Sequence, residues 1–364
     1  MLIQRYLIRE TAATLFGVVL VLYLIYLSNR FVRYLAEAAS GAIPADTVAG
    51  LLALKTVTAL PVLLPLALFL AVLLAMGRLY KDSEITAMVA CGIGYRQLFA
   101  AVFKLASGVA LAVLFIAVYV APWAQRQALA LKEEARSSAD FTAIASGRFR
   151  QIREGELIFY AREISVDRSV MSGVFAQQFV EGQRRVLVAE RAFQRVDERT
   201  GDRFLVFQNG ARYDGLPLTG EMAVMTFSEH GLRISKPGRE AGSVRLAARS
   251  TASLWGTVDP AEAAELQWRL AMPVSAVLMA LIAVLLSRSD PRQGRFAKLF
   301  TGILIYVIYN NLLGVSRSWV EQGTVPIAVG IWWVHGVLLL VFVVMLVHRL
   351  GWRWLWAEWR SRRA

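Results

Sequence analysis

The sequence predicts a polytopic α-helical membrane protein with six transmembrane helices and a β-rich domain inserted between helices 3 and 4. Three observations support this fold class. The chain is 57% hydrophobic, above the level of ordinary soluble domains. Six long apolar stretches are spread over its two ends, and the middle of the chain instead carries short runs of β-type residues.

A helix that crosses a bilayer needs about 20 mostly apolar residues, and six stretches meet that requirement. They are Thr11–Asn29, Thr56–Gly77, Leu105–Gln125, Leu270–Leu286, Leu299–Ser316 and Gln322–Val347. Pro61 and Pro65 lie inside the second stretch, where packing against neighbouring helices can tolerate them. The first stretch resembles a signal peptide, but its apolar run is longer than the usual h-region of about 7–15 residues, so we predict a retained span.

The distribution of basic residues in short loops predicts the orientation. One side carries fifteen, namely Arg5, Arg9, Arg78, Lys81, Arg96, Lys104, Arg288, Arg292, Arg295, Lys298, Arg349, Arg353, Arg360, Arg362 and Arg363. The other side carries four, namely Arg30, Arg33, Lys55 and Arg317. Because basic loops stay in the cytoplasm, both termini are predicted to be cytoplasmic and the inserted domain to lie on the far side.

The charge pattern argues against a nucleic-acid partner despite a net charge of +13. Residues 126–269 carry 21 basic and 19 acidic side chains, so most of the excess lies in the cytoplasmic segments, where it orients the protein and meets anionic lipid headgroups. Cys91 is the only cysteine, which rules out an intrachain disulfide and a cysteine-rich zinc site.

The chain divides into three predicted parts. Residues 1–128 form helices 1–3 with a short cytoplasmic helix near 82–91, 129–264 form the inserted domain with a connecting helix, and 265–364 form helices 4–6 and a basic tail. The β-type runs of the domain are Leu157–Ile164, Val170–Val180, Arg185–Val196, Phe204–Gln208 and Met222–Phe227. Turn signals separate them at Glu181-Gly182, Glu198–Gly201 and Asn209-Gly210.

The alternation of apolar residues in these strands is imperfect. Phe175 and Phe179 share one face, whereas Val170 and Val174 lie on the other. An ordinary two-sheet core and an open sandwich whose apolar interior holds a lipid both fit this pattern. Periodicity alone does not separate the two.

Patterns of enzyme chemistry are absent from the sequence. It contains no G-x-x-x-x-G-K-[ST], G-x-S-x-G or H-E-x-x-H pattern, so we predict no intrinsic enzyme and no cofactor, and any energy for transport must come from a partner or an ion gradient. His335 lies in a span without an acidic partner in any span, and Asn310 and Asn311 lie in another. Packing through hydrogen bonds is the favoured role of all three.

The short cytoplasmic helix is the first candidate functional feature. Glu84 lies in its first turn after the possible caps Asp82 and Ser83, and Gly92 supplies a stop. Its apolar stripe, at i, i+3 and i+4, consists of Ile85, Met88 and Val89. Such a helix can dock in a partner's groove or lie on headgroups, and the exposed acid favours the partner.

Arg30, Arg33 and Arg317 form the second candidate feature, at the outer ends of spans 1 and 5. A guanidinium binds phosphate through two hydrogen bonds, so three at one level are suited to a phosphorylated ligand. Each one alone could also reach ordinary lipid phosphates as a snorkelling anchor.

At these residues the chain resembles the lipopolysaccharide-export permease family. The matching segments are Ile3–Thr11, Ser83–Thr86, Ala90–Gly92, Glu265–Arg269 and Asp290–Arg295. The spacing matches over essentially the whole chain. The Arg-Tyr-Leu opening and Ala-Cys-Gly favour the F branch over the paralogous G branch.

The resemblance implies a periplasmic β-jellyroll and a heterodimer of F and G subunits in the inner membrane of a Gram-negative bacterium. It implies a cytoplasmic ATPase dimer bound to the coupling helices, and lipopolysaccharide passed to a periplasmic bridge protein that itself has a jellyroll domain. Glu84 then matches the coupling acid, and Arg30, Arg33 and Arg317 match positions that face the lipid's phosphates. A non-transporting membrane scaffold or sensor with a periplasmic binding domain is the competing interpretation.

Overall fold

The computed structural model describes residues 2–39, 43–142, 147, 149–152, 157–165, 170–180, 183–196, 203–214, 223–235, 245–288 and 295–350. The chain folds as two compact units. One consists of Met1–Leu35, Ala49–Ala130 and Val244–Ala364, and the other of Ala36–Val48 and Leu131–Ser243. The first unit contains the apolar helices and the second contains the sheet.

The described helices are α1 (Leu2–Ala39), α2 (Thr47–Lys81), α3 (Glu84–Ala90), α4 (Tyr95–Phe115), a π-helix (Ile116–Val120), α5 (Ala121–Thr142), α6 (Pro260–Ser287), α7 (Arg295–Glu321) and α8 (Trp332–Leu350). Among the described residues, six helical segments are long and apolar enough to cross a membrane, which confirms the predicted number. Helix α2 runs unbroken through Pro61 and Pro65.

The last span begins later than predicted. Helix α8 starts at Trp332 rather than at Gln322, and the residues before it form turns. Gly323 and Gly330 adopt φ values of 72° and 52° there, and Pro326 lies between them. Positive φ is incompatible with a continuing right-handed helix, so an apolar composition alone placed the start about three turns too early.

Helix α6 is the central helix of the membrane unit. Its buried face carries many small residues, including Ala264, Ala271, Ala276, Ala280 and Ala283. Small side chains let neighbouring helix backbones approach closely, which is how apolar helices gain packing contacts in a bilayer. Helix α1 contrasts with it, since its most apolar window is only 6% buried within the chain.

The second unit contains six antiparallel strands in the order of the chain, β1 (Arg150–Ile152), β2 (Leu157–Ile164), β3 (Val170–Val180), β4 (Gln183–Val196), β5 (Arg203–Asp214) and β6 (Ala223–Ser235). An antiparallel β domain inserted between helices is thereby confirmed. Each described strand pairs with its neighbours in the chain, so this part of the domain is a meander. The crossing connection of a jelly roll is not among the described strand pairs.

The turn predicted at Asn209-Gly210 is wrong, because β5 runs straight through it. Asn209 does take the positive φ that such a turn would use, at 52°. The structure accommodates this φ inside the strand, and the hairpin partner strand begins only at Ala223.

One line of irregular pairing crosses the sheet from β2 to β6. In the described ladders the regular pairing is interrupted between Arg162 and Gly173, Gly173 and Glu190, Glu190 and Asn209, and Asn209 and Ser228. Gly173 has a φ of 61°, and a Cβ there would lie 2.9 Å from the Cβ of Arg162 on β2. The left-handed residues Gly173 of β3 and Asn209 of β5, on the two strands that flank β4, interrupt the pleat at one level, as bulges do.

This line explains the imperfect alternation. On one side of it the buried residues are Val174 and Ala176 of β3, and on the other side Met171, three residues from Val174, is buried too. All belong to one apolar cluster with Leu187 and Ala192 of β4, which show the same switch. The apolar core therefore continues across the line, but the buried positions in β3 change from even-numbered to odd-numbered residues.

A second apolar face of the sheet is partly exposed. Tyr160, Phe175 and Val188 lie directly opposite one another on adjacent strands, and Val188 is 44% exposed. Phe149, 69% exposed, packs its ring 4.8 Å from that of Tyr160 and 6.0 Å from that of Phe175. Apolar residues therefore occupy both faces of this part of the sheet.

Candidate functional site

The short helix predicted near 82–91 is α3, Glu84–Ala90. Gly92 ends it with a φ of 82°, and the amide of Ile93 donates to the carbonyl of Met88 in the closing turn, as the predicted stop requires. Ser83 occupies the N-cap position, but its φ is 61° and its side chain makes no capping hydrogen bond. The predicted side-chain cap at Ser83 is therefore wrong.

The apolar stripe of α3 divides between two environments. Ile85 is completely buried in the core of the membrane unit, and Met88 is half-buried against that core. Val89 is 40% exposed. Ile85 and Met88 therefore anchor α3 to its own chain, and Val89 is the stripe residue available to a partner.

The side chain of Glu84 forms a hydrogen bond with a residue near the start of α1. Its Oε2 accepts a hydrogen bond of 2.7 Å from the hydroxyl of Tyr6. One turn along α1, Glu10 forms an ion pair of 2.9 Å with Arg78 at the end of α2. The start of α1 is thus fastened to α2 and α3, which the sequence pattern gave no sign of.

Arg30 lies within the polar surroundings of span 1. Its Nε donates to the hydroxyl of Tyr26 at 3.1 Å, and its guanidinium lies over the Tyr26 ring. The Tyr26 hydroxyl donates in turn to the backbone carbonyl of Lys55 on α2. Arg33, one turn further, is exposed, so its guanidinium is accessible to a ligand.

Arg317 has a different environment. Its Nε donates to Oε1 of Glu321 and its terminal nitrogen to Oε2 of Glu265, each at 2.8 Å. The guanidinium stands 5.1 Å from the centre of the Trp268 ring, and the side chain is 20% exposed. The contacts described for Arg317 lie on α6 and α7 and those for Arg30 lie on α1, so the described contacts do not join the predicted cluster. Its shared ligand stays a prediction.

The polar residues inside the spans form a packing network. Tyr309 on α7 lies 2.7 Å from the Ser275 hydroxyl on α6 and 3.1 Å from Nδ1 of His335 on α8. Asn311 donates to the carbonyl of Val307 in its own helix. The contact of His335 agrees with its predicted packing role, whereas Asn311 is exposed and bonds within its own helix, and the role of Asn310 stays a prediction. In the described part of the chain, no group of three or more His, Cys, Asp or Glu side chains could hold a metal ion.

The family model for the lipopolysaccharide export system permease LptF/LptG matches residues 5–348. The chain belongs to this permease family. It is 30% identical to the lipopolysaccharide export system permease protein LptF of Escherichia coli K12 over 348 residues, which cover 95% of this chain and 94% of that protein. The LptF proteins of E. coli O157:H7 and Shigella flexneri match with the same identity and coverage.

Family membership makes the chain a permease subunit of the lipopolysaccharide export system, a multi-pass protein of the inner membrane, and these relatives confirm the F-branch prediction. The permease motifs now have positions. Tyr6 and Glu10 of the opening motif meet Glu84 and Arg78. Sequence reasoning did not assign a role to Glu265 or Arg269, although their i, i+4 spacing at the start of a span is a detectable sign of a paired charge.

Proposed function

We propose that this permease subunit extracts lipopolysaccharide from the inner membrane with energy from a cytoplasmic ATPase dimer that docks on α3. The observation that carries the proposal is the geometry of α3. Ile85 fixes the helix to the membrane core, while Glu84 and Val89 remain accessible at its surface. Because α3 packs against the membrane core through Ile85, a movement of the bound ATPase that shifts α3 also shifts the spans in contact with it.

The lipid contacts are assigned to two regions. Arg30, Arg33 and Arg317 bind phosphates of the lipid at the outer ends of spans 1 and 5, since guanidinium groups suit phosphate geometry. The exposed apolar face of the sheet around Phe149 and Val188 offers a surface for acyl chains, and its exposure in an otherwise soluble domain supports this use.

The wider arrangement follows the resemblance. The paralogous G subunit completes a heterodimer, both termini are cytoplasmic, and the domain within 129–264 is a periplasmic β-jellyroll that passes the lipid to a bridge protein of similar fold. Residues 1–128 and 265–364 form the membrane part. The strong bias of basic residues toward the short loops and tails on the side of the termini supports the orientation.

The test is to purify the chain with its partners in detergent or nanodiscs. We expect a cytoplasmic ATPase to copurify and lipopolysaccharide to stimulate its ATP hydrolysis, while the chain alone hydrolyses no ATP. A complex that binds no ATPase would favour the scaffold or sensor interpretation and contradict the proposal.

Cys91 tests the orientation directly. It is exposed next to the end of α3 and is the sole thiol of the chain. If this side is cytoplasmic, a membrane-impermeant maleimide will leave Cys91 unlabelled in intact cells, and a permeant maleimide will label it. Labelling by the impermeant reagent would reverse the orientation and remove the docking role of α3.

Tyr6 is expected to position the coupling acid. Tyr6→Phe removes the hydroxyl that donates to Glu84 and keeps the ring. A hydrogen bond to a charged group contributes about 1.5–3 kcal/mol, and exposure to water weakens this one, because Tyr6 is 38% exposed. We therefore expect a mild loss of lipid-stimulated ATP hydrolysis, about two- to fivefold. Wild-type stimulation in Tyr6→Phe would show that Glu84 needs no partner on α1.

A further inference from the structure

A buried carboxylate joins two arginines near the outer end of the membrane unit. Oε1 of Glu265 accepts from Nε of Arg269, and Oε2 accepts from Arg317, both at 2.8 Å. The side chains of Glu265 and Arg269 are only 6% and 4% exposed. With Glu321 also bound to Arg317, two carboxylates balance two guanidinium groups, which is the condition for burying such charges.

The two arginines differ in the donors that remain. A guanidinium group has five N–H donors. Arg269 uses all of them on the chain itself, whereas the hydrogen bonds described for Arg317 use two. The acceptors of Arg269 are Glu265, the carbonyls of Leu246, Ala247 and Arg249, and the hydroxyl of Thr251. Arg317 therefore keeps donors for a phosphate, whereas the donors of Arg269 are all used on Glu265 and on the 246–251 segment.

The Thr251 hydroxyl extends this connection to the π-helix. It accepts from Arg269 at 2.8 Å and donates to the carbonyl of Val118 at 2.7 Å. Val118 lies within the π-helix Ile116–Val120, whose wider turn takes carbonyls out of the regular helical ladder. A side-chain hydroxyl that bonds such a carbonyl stabilises the irregular turn.

These contacts involve both chain connections to the sheet. The π-helix leads into α5, which is the outgoing connection, and 245–251 belongs to the returning one. We propose that Glu265, Arg269 and Thr251 are positioning residues that link phosphate binding at Arg317 to both connections. A lipid phosphate binds the donors of Arg317 that remain, and the intact contacts through Glu265, Arg269 and Thr251 pass this binding to both connections and permit transfer of the lipid toward the sheet domain. This inference rests on the proposed phosphate contact of Arg317.

Thr251 offers the cleanest test. Thr251→Val removes the hydroxyl at nearly constant shape and leaves the pair of Glu265 and Arg317 in place. In the assembled complex, a photoreactive amino acid at Asn29 reports lipopolysaccharide in the membrane part, and one at Val188 reports it on the sheet. We expect Thr251→Val to crosslink lipopolysaccharide at the wild-type level at Asn29. At Val188 its crosslinking yield should fall by about fivefold or more. Thr251→Ser, which keeps the hydroxyl, should crosslink normally at both.

Two glutamates provide a matched pair. Glu265→Gln and Glu321→Gln each remove one carboxylate from Arg317, but only Glu265 also contacts Arg269. We expect reduced crosslinking at Val188 in Glu265→Gln and not in Glu321→Gln. Equal effects of the two variants would contradict the link.

The outcomes also separate this inference from the proposed function. Normal crosslinking at both positions in Thr251→Val overturns the link alone, because lipid would still enter and move without the hydroxyl. A wild-type complex that never crosslinks lipopolysaccharide at Asn29 overturns the proposed lipid contact and the link with it.

Discussion

The double reversal Arg30→Glu with Arg33→Glu is expected to lower lipid-stimulated ATP hydrolysis and lipid export by about tenfold or more, with assembly intact. Each substitution turns an attraction for phosphate into a repulsion, and charge-assisted hydrogen bonds contribute about 1.5–3 kcal/mol each. Arg33 is exposed, and the hydrogen bond and ring contact described for Arg30 are both with Tyr26, so neither reversal breaks an ion pair among the described residues.

Arg317 is less suited to this experiment. Arg33→Glu with Arg317→Glu should act in the same direction, but Arg317→Glu also places a third carboxylate beside Glu265 and Glu321. A loss of export in that variant would combine lost phosphate binding with a destabilised end of α6 and α7. The pair on α1 separates the two effects.

The matched control keeps the charge. Arg30→Lys with Arg33→Lys should be milder than the reversal, because a lysine retains the attraction and loses only the bidentate geometry. Raised salt should weaken lipid binding more in wild type than in the reversal, since only wild type retains the favourable charge contact. Lipid crosslinking and export at wild-type levels in the reversal would reduce these arginines to snorkelling anchors.

Glu84→Ala is expected to have the second large effect, on ATPase association and export. The carboxylate lies on an anchored helix and is accessible, so a cationic group of the ATPase can bind it, and its loss costs about 1.5–3 kcal/mol. That loss corresponds to roughly a ten- to hundredfold weaker contact. The measurement is the amount of ATPase that copurifies with the variant, together with its export activity.

Three variants separate docking from folding. Glu84→Gln retains an acceptor for Tyr6 and loses the charge, so it should resemble Glu84→Ala if the charge is what binds. Ile85→Ala should reduce the free energy of unfolding by about 2–5 kcal/mol, because Ile85 is completely buried. Val89→Asp should weaken docking and leave stability unchanged. Normal ATPase binding and export in Glu84→Ala would remove the coupling role.

Hydropathy was sufficient to predict the number of spans but not all of their limits. Apolar composition over about 20 residues determines whether a helix can cross a bilayer, and six such stretches became helices. The start of the last span was missed because the left-handed backbone at Gly323 and Gly330 leaves no mark on hydropathy. The two prolines inside α2 lie in a continuous helix, as predicted for a span packed against neighbouring helices.

The sheet shows a different reason for failure. Alternation assumes that every residue of a strand is extended, and Gly173 and Asn209 break that assumption at one level of the sheet. The strands themselves were recognisable, since Leu157–Ile164 and Val170–Val180 fall where the β-type runs do. Which residues of each strand face the core was not recognisable, because the set of buried alternating positions changes at a line that is defined only by the pairing of neighbouring strands.

The candidate site could be predicted residue by residue but not as contacts. Glu84 stands out because it begins a short amphipathic helix, and the outer arginines stand out because they lie on the side of the membrane that carries few basic residues. The partners of these residues are far away in the chain, as with Tyr6 and Glu84, which are 78 residues apart, or Glu265 and Arg317, which are 52 apart. Such pairs depend on how the helices pack, which a single sequence does not encode in any local pattern.

The π-helix between α4 and α5 has a geometric consequence for everything that follows it. A π-turn accommodates one residue more than an α-turn, and one residue corresponds to about 100° of rotation around a helix axis. The side chains of α5 therefore point in directions turned by about that angle from the ones an unbroken α-helix would give them. The extra residue in Ile116–Val120 therefore determines the rotation of α5 about its own axis, and with it the direction in which each face of α5 points.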